Sequence, residues 1–335
     1  MDVKYFKDQQ RESQIEWRKR NIKTRDYGWH NKRAYPHIIP LNQWEETLWG
    51  GIRNDLKPYL VDKNIQKHSG THNLLSSWVV CANLYFIIRN DNTFRNLMLG
   101  FLQKNISNEI IEITDVELEF SFNGQLSPEK LLGEKNGFRG SGQTSPDVAF
   151  LVKTKKGKGI ILTECKYTEH SFYHCSGRRT VGSDKKPANP DPSRCMQIPI
   201  GDNYIPLCHQ VVWGRRYWDY LKLSEHGKKV LRRCPAATSG YQLFRQHALA
   251  EGIAEKGDFD LVVSSVAYDQ RNKALINSLK STGVNNFATD WETIFSGNTI
   301  FKAWTHQEWV EYVRKNASGS FQSDWLSYVN RRYGY

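Results

Sequence analysis

The stretch SPDVAFLVKTKKGKGIILTECKYTE, residues 145–169, decides the fold. Two apolar runs flank the turn KTKKGKG, a pattern typical of two adjacent antiparallel strands. Side chains two positions apart on a strand point to one face, so Glu164 and Lys166 project together while Cys165 points into the core. Asp147 opens the first strand, and a hairpin register can bring it level with Glu164.

This pair of carboxylates predicts a metal site. Asp147 and Glu164, with a nearby backbone carbonyl, suit Mg²⁺ (or Mn²⁺), which prefers hard oxygen ligands and keeps several waters. Such an ion lowers the pKa of a bound water and stabilises charge on a phosphate. Lys166 would orient or help deprotonate that water and stabilise the phosphate. The alternative is an ordinary surface ion pair between Glu164 and Lys166.

Periodicity and turn residues predict the elements around this hairpin. They are helices at 74–88, 92–104, 209–224 and 240–256, and strands at 113–121 and 259–268. In the first of these strands, alternation places Val116, Leu118 and Phe120 on one face, opposite Glu117 and Glu119. The C-terminal residues 291–335 hold four Trp and are expected to pack as short helices.

The motif Pro146-Asp147 followed by Glu164-x-Lys166 resembles that of the PD-(D/E)xK nuclease superfamily, which includes many restriction endonucleases. Its core is a central mixed β-sheet flanked by helices in the order αβββαβ, and the predicted elements follow that order. The resemblance therefore implies an α/β, restriction-endonuclease-like core with N- and C-terminal extensions. Four segments are also similar to an uncharacterised bacterial branch of restriction-endonuclease-like proteins: SSWVVCANLY (76–85), TECKYTE (163–169), GRRYWDYL (214–221) and CPAATSGYQLFRQHALAEG (234–252).

The domain organisation expected from this pattern has three parts. A basic N-terminal extension covers 1–65, and the nuclease domain covers 66–290 with a Cys-containing insertion at 170–235. A Trp-rich helical extension occupies 291–335. Residues 170–207 of this insertion are rich in Gly, Pro, Asn and Asp, and a long turn-rich stretch in a compact domain is usually functional.

The resemblance implies further site residues. Glu119 is expected to help hold the metal directly or through water, with Glu117 as the alternative, and both equally suit the solvated face of an edge strand. Gln242 is expected to reach the active site or the DNA from the helix at 240–256, and Arg245 shares its helix face. Glu169, which continues the same segment beyond Lys166, is a weaker candidate than Glu119 for binding the metal through water, and pairing with Lys166 or a loop Arg is the alternative.

The net charge of the chain indicates a polyanionic partner. The chain has 47 Lys and Arg against 35 Asp and Glu, a net charge of +12. Basic clusters lie at 18–25, 153–158 and 178–186, and spread charge suits a surface that follows a phosphate backbone. Arg178, Arg179 and Arg245 are the expected nucleic-acid contacts. The alternative is a merely soluble basic surface. No apolar run reaches the length of a membrane span and no signal core is evident, so we expect a cytoplasmic protein.

Four cysteines downstream of the motif are candidate ligands for a second, structural metal site. They are Cys175, Cys195, Cys208 and Cys234. Four thiolates suffice for one structural zinc ion or an iron–sulfur cluster. No Cys-x-x-Cys pair is present, and scattered free thiols are the alternative. Cys81 and Cys165 lie in apolar elements and are expected in the core.

These observations favour a metal-dependent nuclease that hydrolyses DNA by Mg²⁺-activated water, with a restriction or anti-phage role by family association. One alternative is an RNA nuclease. The other is a catalytically silent nucleic-acid-binding or adaptor protein whose fold is stabilised by a four-cysteine metal site. Besides DNA, a second copy of the chain or a defence-system protein is the expected partner, because restriction-type nucleases often dimerise to cut both strands.

Overall fold

The computed structural model describes residues 3–183, 186–197 and 208–335. Lys185, in the basic cluster at 178–186, and part of the expected insertion lie outside these ranges. The strands are β1 (Gly28–His30), β2 (Arg33–Tyr35), β3 (Ile110–Leu118), β4 (Val148–Thr154), β5 (Lys158–Lys166), β6 (Lys222–Leu223), β7 (Leu261–Tyr268), β8 (Phe295–Ser296) and β9 (Ile300–Thr305).

The helices divide into those before and those after the central hairpin. Before it lie α1 (Val3–Asn21), α2 (Gly50–Asp62), α3 (Ser77–Tyr85), α4 (Ile87–Asn90), α5 (Asn92–Asn105) and α6 (Pro128–Leu132). After it lie α7 (Arg194–Gln197), α8 (His209–Val212), α9 (Tyr217–Tyr220), α10 (Glu225–Val230), α11 (Tyr241–Lys256), α12 (Lys273–Ile276), α13 (Phe287–Ile294), α14 (His306–Asn316) and α15 (Ser320–Tyr333). None of these described helices has the length and apolar character needed to cross a bilayer.

A mixed sheet of five strands, in the order β3-β4-β5-β7-β9, organises the described chain. β3, β4 and β5 are antiparallel neighbours, whereas β5, β7 and β9 run parallel. A parallel pair needs a crossover, and α11 supplies it between β5 and β7. The order αβββαβ expected for the core is therefore confirmed, as is the α/β class with a central mixed sheet flanked by helices.

Each face of the sheet packs against its own apolar core. Phe150 and Ile161 belong to the core that also contains α3, α5, α14 and α15, whereas their neighbours Ala149 and Ile160 belong to the core that contains α11 and α13. Side chains alternate between the faces of a strand, so β5 is buried on both sides. This double burial explains the unbroken apolar run at the start of β5.

The predicted strand at 113–121 is displaced in the structure. β3 ends at Leu118, because Glu119 takes a left-handed backbone conformation with φ of 47°. Phe120 therefore does not share the face of Val116 and Leu118, and that prediction is wrong: Phe120 packs in the opposite core. The turn redirects the chain where the strand meets the candidate site.

Two helical predictions are also wrong. The expected helix at 209–224 is instead α8, α9 and the short strand β6, because Gly214 has a positive φ of 72° and ends the first helical turns. The C-terminal residues are not all helical either, since β9 forms an edge strand of the central sheet. Its sequence, IFKAWT, carries no strict alternation that would have marked it as a strand.

The two ends of the chain meet beside β5. Gln14 of α1 and Arg332 of α15 exchange hydrogen bonds: the Gln14 amide donates to the Arg332 carbonyl at 2.8 Å, and Arg332 Nε donates to Gln14 Oε1 at 3.2 Å. The Tyr167 hydroxyl, directly after β5, donates to Gln10 Oε1 at 2.9 Å. These contacts fix α1 next to the end of the strand that carries Glu164 and Lys166.

Candidate active site

Three carboxylates lie at the same end of three neighbouring strands. Leu118 pairs with Val148, and Val148 pairs with Thr163, so Glu119, Asp147 and Glu164 each occupy the adjoining position. The backbone N–H of Glu119 donates to the carbonyl of Asp147 at 3.0 Å, which extends the ladder by one step. The antiparallel register therefore brings these three sequence-predicted residues together.

Asp147 is held by the strand beside it. Its Oδ2 accepts a hydrogen bond from the backbone N–H of Cys165 at 2.7 Å. Burial raises the pKa of Asp147 well above its usual value, and the neighbouring Glu164 carboxylate raises it further. The half-buried Asp147 and the buried Glu164 repel each other when both are ionised, which makes the position suited to a cation.

Glu164 and Lys166 form a buried ion pair. Lys166 Nζ lies 2.6 Å from Glu164 Oε1, and the two side chains are only 3% and 8% exposed. The alternative of a surface pair is therefore wrong. Burial alone would lower the pKa of Lys166, but the carboxylates of Glu164, Glu169 and Asp147 outweigh it and raise the pKa. Lys166 thus carries a fixed positive charge beside the acids.

Glu119 is buried and faces the other two acids. Burial raises the pKa of Glu119, and the charges of Asp147 and Glu164 add to this effect, against a lowering influence of Arg139. The guanidinium of Arg139 donates to the Glu119 carbonyl at 3.0 Å, which stabilises the turn. Gly140 packs close by, since a Cβ there would stand 3.3 Å from the Glu119 carboxyl carbon.

Glu117, the alternative to Glu119, has a different environment. Its carboxylate pairs with Arg139 at 2.8 Å and with Lys63 at 3.3 Å. It lines a separate cavity that does not include Asp147 or Glu164. Because its charge is neutralised by two cations, Glu117 is a poor candidate for holding a metal.

The acids open into one cavity of about 160 Å³, which we call the acid cavity. Its lining residues are His68, Glu119, Gly140, Gln143, Thr144, Ser145, Asp147, Glu164, Gln242, Arg245 and Gln246. Lys166 is not among them, and it adjoins the cavity through its ion pair with Glu164. The walls thus come from the sheet, from the loop after α6 and from α11.

Gln242 reaches the acid cavity from the first turn of α11. Its backbone N–H donates to the Phe172 carbonyl at 2.9 Å, which fixes the helix against the chain that follows β5. Its Oε1 is buried and has no hydrogen-bond partner among the described residues. A buried acceptor without a donor is costly, so this oxygen is suited to a water or ligand in the cavity.

Gln246 is a lining residue that sequence reasoning missed. Its amide donates to the carbonyls of Leu162 at 3.1 Å and Ser265 at 2.9 Å, one on β5 and one on β7. The side chain therefore ties α11 to the sheet directly behind the acids. The available signal was its spacing, because Gln246 follows Gln242 by four residues on the same helix face.

The arginines predicted to contact nucleic acid have separate locations. Arg245 lines the acid cavity, lies 3.9 Å from Glu134 Oε1 and stacks 4.9 Å from the Tyr241 ring centroid. Arg178 donates to the Ala237 carbonyl at 2.9 Å, and Arg179 is exposed. The structure does not bring Arg178 or Arg179 to the acid cavity.

Glu169 lies just beyond the candidate acids. Its Oε2 accepts a hydrogen bond from the Tyr167 backbone N–H at 2.8 Å, so it caps the end of β5. It lines a larger neighbouring cleft instead of the acid cavity. The structure therefore keeps Glu169 near the site without placing it among the three clustered carboxylates.

The four downstream cysteines line one small cavity. Cys175, Cys195, Cys208 and Cys234 surround a space of about 20 Å³. The Gln210 amide donates to Cys175 Sγ at 2.8 Å, and burial raises the pKa of that thiol to about 11. All six cysteines lie within the described ranges, and no disulfide bond joins any two of them there.

Comparison with known proteins places the chain in a family. No curated protein matches it, and no solved structure matches it. A family model described as "Restriction Endonuclease associating with ARP" matches residues 8–334. This match extends from α1 to the last residue but one, and includes every residue of the acid cavity. The chain therefore belongs to the family of restriction endonucleases that is described as associating with ARP.

Proposed function

We propose that the protein is a Mg²⁺- or Mn²⁺-dependent nuclease that hydrolyses DNA phosphodiester bonds with a metal-activated water, in restriction or anti-phage defence. Membership of a restriction-endonuclease family supports the nuclease class. The observation that carries the proposal is the clustering of Glu119, Asp147 and Glu164 around one cavity, in which Glu119 and Glu164 are buried and Asp147 is half-buried, with Lys166 fixed against Glu164.

The donor set fits a hard, well-hydrated cation. Within residues 3–183, 186–197 and 208–335, no three His, Cys, Asp or Glu side chains form a ready metal-ligand group. An ion in the acid cavity would therefore use one or two carboxylates and complete its shell with water, which is how Mg²⁺ is commonly bound. The raised pKa of Asp147 and of Glu119 supports this assignment, because a cation would relieve their mutual repulsion.

In this proposal each side chain has a distinct role. Asp147 and Glu164 would hold the ion, and Glu119 would help to hold it directly or through water. When bound, the metal supplies a water of lowered pKa and positive charge at the phosphate. Lys166 keeps Glu164 in place and adds a fixed positive charge where negative charge develops. The unpaired Gln242 Oε1 accepts a hydrogen bond from the water or the substrate.

The alternatives are weakened by specific observations. A catalytically silent scaffold or adaptor has no use for three clustered acids, because such a cluster lowers the free energy of unfolding and brings no gain in activity in return. An RNA nuclease would use the same chemistry, and the restriction-endonuclease family supports DNA instead. The family's description names an association with ARP, which supports a partner protein besides a second copy of this chain.

A cleavage assay tests the proposal. Purified protein should cut linear or supercoiled DNA with Mg²⁺ or Mn²⁺, should be inactive with EDTA, and should cut RNA of the same sequence far more slowly. Glu119→Gln, Asp147→Asn and Glu164→Gln should each reduce cleavage, whereas Glu112→Gln, in an exposed pair with Lys153, should not. Failure of the wild type to cut DNA with either metal would contradict the proposal, and preferential cutting of RNA would establish the alternative.

The four-cysteine metal site stays a prediction. The shared cavity of Cys175, Cys195, Cys208 and Cys234 supports it, although the described thiols do not yet form a closed ligand set. A bound zinc ion or cluster would need the sulfurs to draw inward. Elemental analysis and a visible absorption spectrum of anaerobically purified protein distinguish zinc, an iron–sulfur cluster and free thiols. Zinc and iron both well below one per chain would contradict the site.

A further inference from the structure

A second, larger cleft adjoins the acid cavity. It encloses about 700 Å³ and shares His68 with that cavity. Its charged lining residues are Lys7 and Arg11 of α1 and Glu169 after β5. Five histidines also line it, namely His30, His37, His68, His72 and His170, and burial lowers the pKa of His37 to about 4, so that this ring is neutral at pH 7. Glu169 is the single acid among the cleft's lining residues, so this approach to the site favours an anionic ligand.

The hairpin Gly28–Tyr35 forms one wall of this cleft. Gly28 pairs with Tyr35 and His30 pairs with Arg33, so these four residues share one face. His30 and Tyr35 line the cleft. Asn31 and the next residue both have positive φ, the geometry of a tight two-residue turn that suits the strand twist. The cleft face of the hairpin thus ends in a basic tip.

The hairpin is exposed yet firmly anchored. Arg18 of α1, 4% exposed, donates hydrogen bonds to the carbonyls of Pro36 at 2.7 Å and Ile38 at 3.1 Å. Gly28 packs so tightly that a Cβ would stand 2.1 Å from the Ile39 carbonyl oxygen. These contacts fix the base of the hairpin, so its tip projects in a defined direction without packing on the body.

The projecting part carries the side chains that a DNA surface requires. Trp29 is 66% exposed, on the face opposite the cleft. Lys32 and Arg33 are exposed at the turn, and no ion pair is recorded for either within the described residues. A two-stranded β-ribbon fits the major groove of a duplex, and basic side chains at its tip meet the phosphates. An exposed indole adds apolar contact with sugars or bases.

From this geometry we infer that the hairpin Gly28–Tyr35 is a DNA-binding ribbon. It binds a duplex and positions one strand along the basic cleft that leads to the acid cavity. The inference rests on the proposed DNA nuclease function and adds how substrate is held. Lys32 and Arg33 neutralise phosphates, His30 and Tyr35 face the incoming strand, and Trp29 contacts the groove.

The chain offers a matched control for the tip. Lys104, in the last turn of α5, and Lys222, in β6, are also exposed, and neither forms an ion pair within the described residues. Removing these two charges changes the net charge of the protein by the same amount. A difference between the two double variants therefore reports on position and not on overall charge.

Binding is measured with a fluorescein-labelled duplex by anisotropy at several salt concentrations, in Ca²⁺ and in the Asp147→Asn background, so that no cleavage interferes. Lys32→Ala/Arg33→Ala should weaken binding about 10-fold or more and should lower the slope of log K against log salt by about 2, one per lost phosphate contact. Lys104→Ala/Lys222→Ala should leave the slope unchanged. Trp29→Ala should weaken binding about 10-fold with no change of slope, and Trp29→Phe should restore most of it.

Three outcomes overturn the inference. The first is that Lys32→Ala/Arg33→Ala binds the duplex with an affinity within twofold of the parent protein, or with the same affinity as the control variant, while the wild type still cuts DNA. In that case the proposed function stands and the hairpin is not the DNA-binding element. The second is tighter binding of single-stranded DNA with no dependence on the hairpin. The third is a wild type that neither binds nor cuts duplex DNA, in which case the proposed function fails as well.

Discussion

The carboxylate of Asp147 accepts a hydrogen bond from the backbone N–H of Cys165, the residue between Glu164 and Lys166. This 2.7 Å contact joins β4 to β5 just beyond their last paired residues, Val148 and Thr163. Asp147 is therefore both a candidate metal ligand and a structural link between strands. Substitution of Asp147 by Asn separates the two roles, because an Asn side chain keeps the acceptor oxygen but loses the charge.

We expect Asp147→Asn to keep the fold and lose activity. The remaining amide oxygen still accepts from Cys165, so the β4–β5 junction should stay intact. Without the second carboxylate the metal is held less tightly, and cleavage should fall by about 100-fold or more. A cleavage time course at saturating Mn²⁺ measures this loss, and circular dichroism checks the fold. Activity within tenfold of wild type would show that Asp147 does not act on the metal.

The same substitution should stabilise the metal-free protein. Burial and the charge of Glu164 raise the pKa of Asp147, which means that its ionised form is disfavoured in the folded state at neutral pH. Removing the charge should increase the free energy of unfolding by about 1 kcal/mol. Urea unfolding in EDTA at pH 7.5 measures this change.

With metal bound, the wild type should instead be more stable than Asp147→Asn. Mn²⁺ or Mg²⁺ that binds the folded wild type raises its apparent stability by mass action, whereas Asp147→Asn should respond much less. Glu112→Gln, at an exposed ion pair, serves as the control and should respond to metal as the wild type does. Equal stabilisation of wild type and Asp147→Asn by metal would place the ion elsewhere.

Much of this site could be predicted from the hairpin at 145–169. Strand alternation placed Glu164 and Lys166 on one face, and an antiparallel register placed Asp147 beside them. These inferences depend on local geometry, which short sequence patterns carry well. The burial of the Glu164–Lys166 pair could not be predicted from them, because it depends on Phe172 and other side chains packed from outside the hairpin.

Other features depend on contacts between distant parts of the chain. Gln246 lies behind the acids because α11 crosses β5 and β7, and its sequence position alone gives no sign of the Leu162 and Ser265 carbonyls that it meets. The hairpin Gly28–Tyr35 lacks the Asn-Gly turn that usually marks such a structure. β9 was missed because an edge strand takes its conformation from its partner β7 more than from its own pattern.

The Glu164–Lys166 pair should show strong coupling. Lys166→Met leaves a buried carboxylate without its partner, and we expect a loss of about 3 to 5 kcal/mol in the free energy of unfolding. Glu164→Gln/Lys166→Met removes both charges and should recover most of that loss. Lys158→Met, at the exposed start of β5, is the matched control and should change stability by less than about 1 kcal/mol. Additive effects of the two single substitutions would contradict a direct ion pair.

Substitution of Gln242 should lower activity, whereas substitution of Gln246 should lower the free energy of unfolding. Gln242→Ala removes a side chain whose Oε1 has no partner among the described residues, so stability should hardly change while cleavage falls about 10-fold. Gln246→Leu leaves the carbonyls of Leu162 and Ser265 without this donor, which should cost about 1 to 3 kcal/mol. Thermal unfolding and cleavage rates measured on both variants separate the two roles. Equal effects on stability would contradict the assignment.

His306 should make stability depend on pH in a defined direction. Its ring lies between the Tyr85 hydroxyl at 3.0 Å and the Lys166 carbonyl at 3.1 Å, and burial lowers the pKa of His306 to about 4. The unfolded chain, with an ordinary pKa near 6.5, takes up the proton first as pH falls. Protonation therefore favours unfolding between pH 6.5 and 4, and has no effect above this window because both states are then neutral.

Comparison with His306→Gln isolates this contribution. The wild type should exceed the variant in stability most at pH 7.5, and the difference should shrink by about 1 kcal/mol per pH unit below pH 6.5. The opposing effect of Asp147 and Glu119, whose raised pKa favours the folded state on acidification, is common to both proteins and cancels. Urea unfolding at pH 7.5, 6, 5 and 4.5 gives the difference directly, with His226→Gln at an exposed position as control. A difference that stays constant over this range would show that the buried imidazole takes up its proton as readily in the folded chain as in the unfolded one.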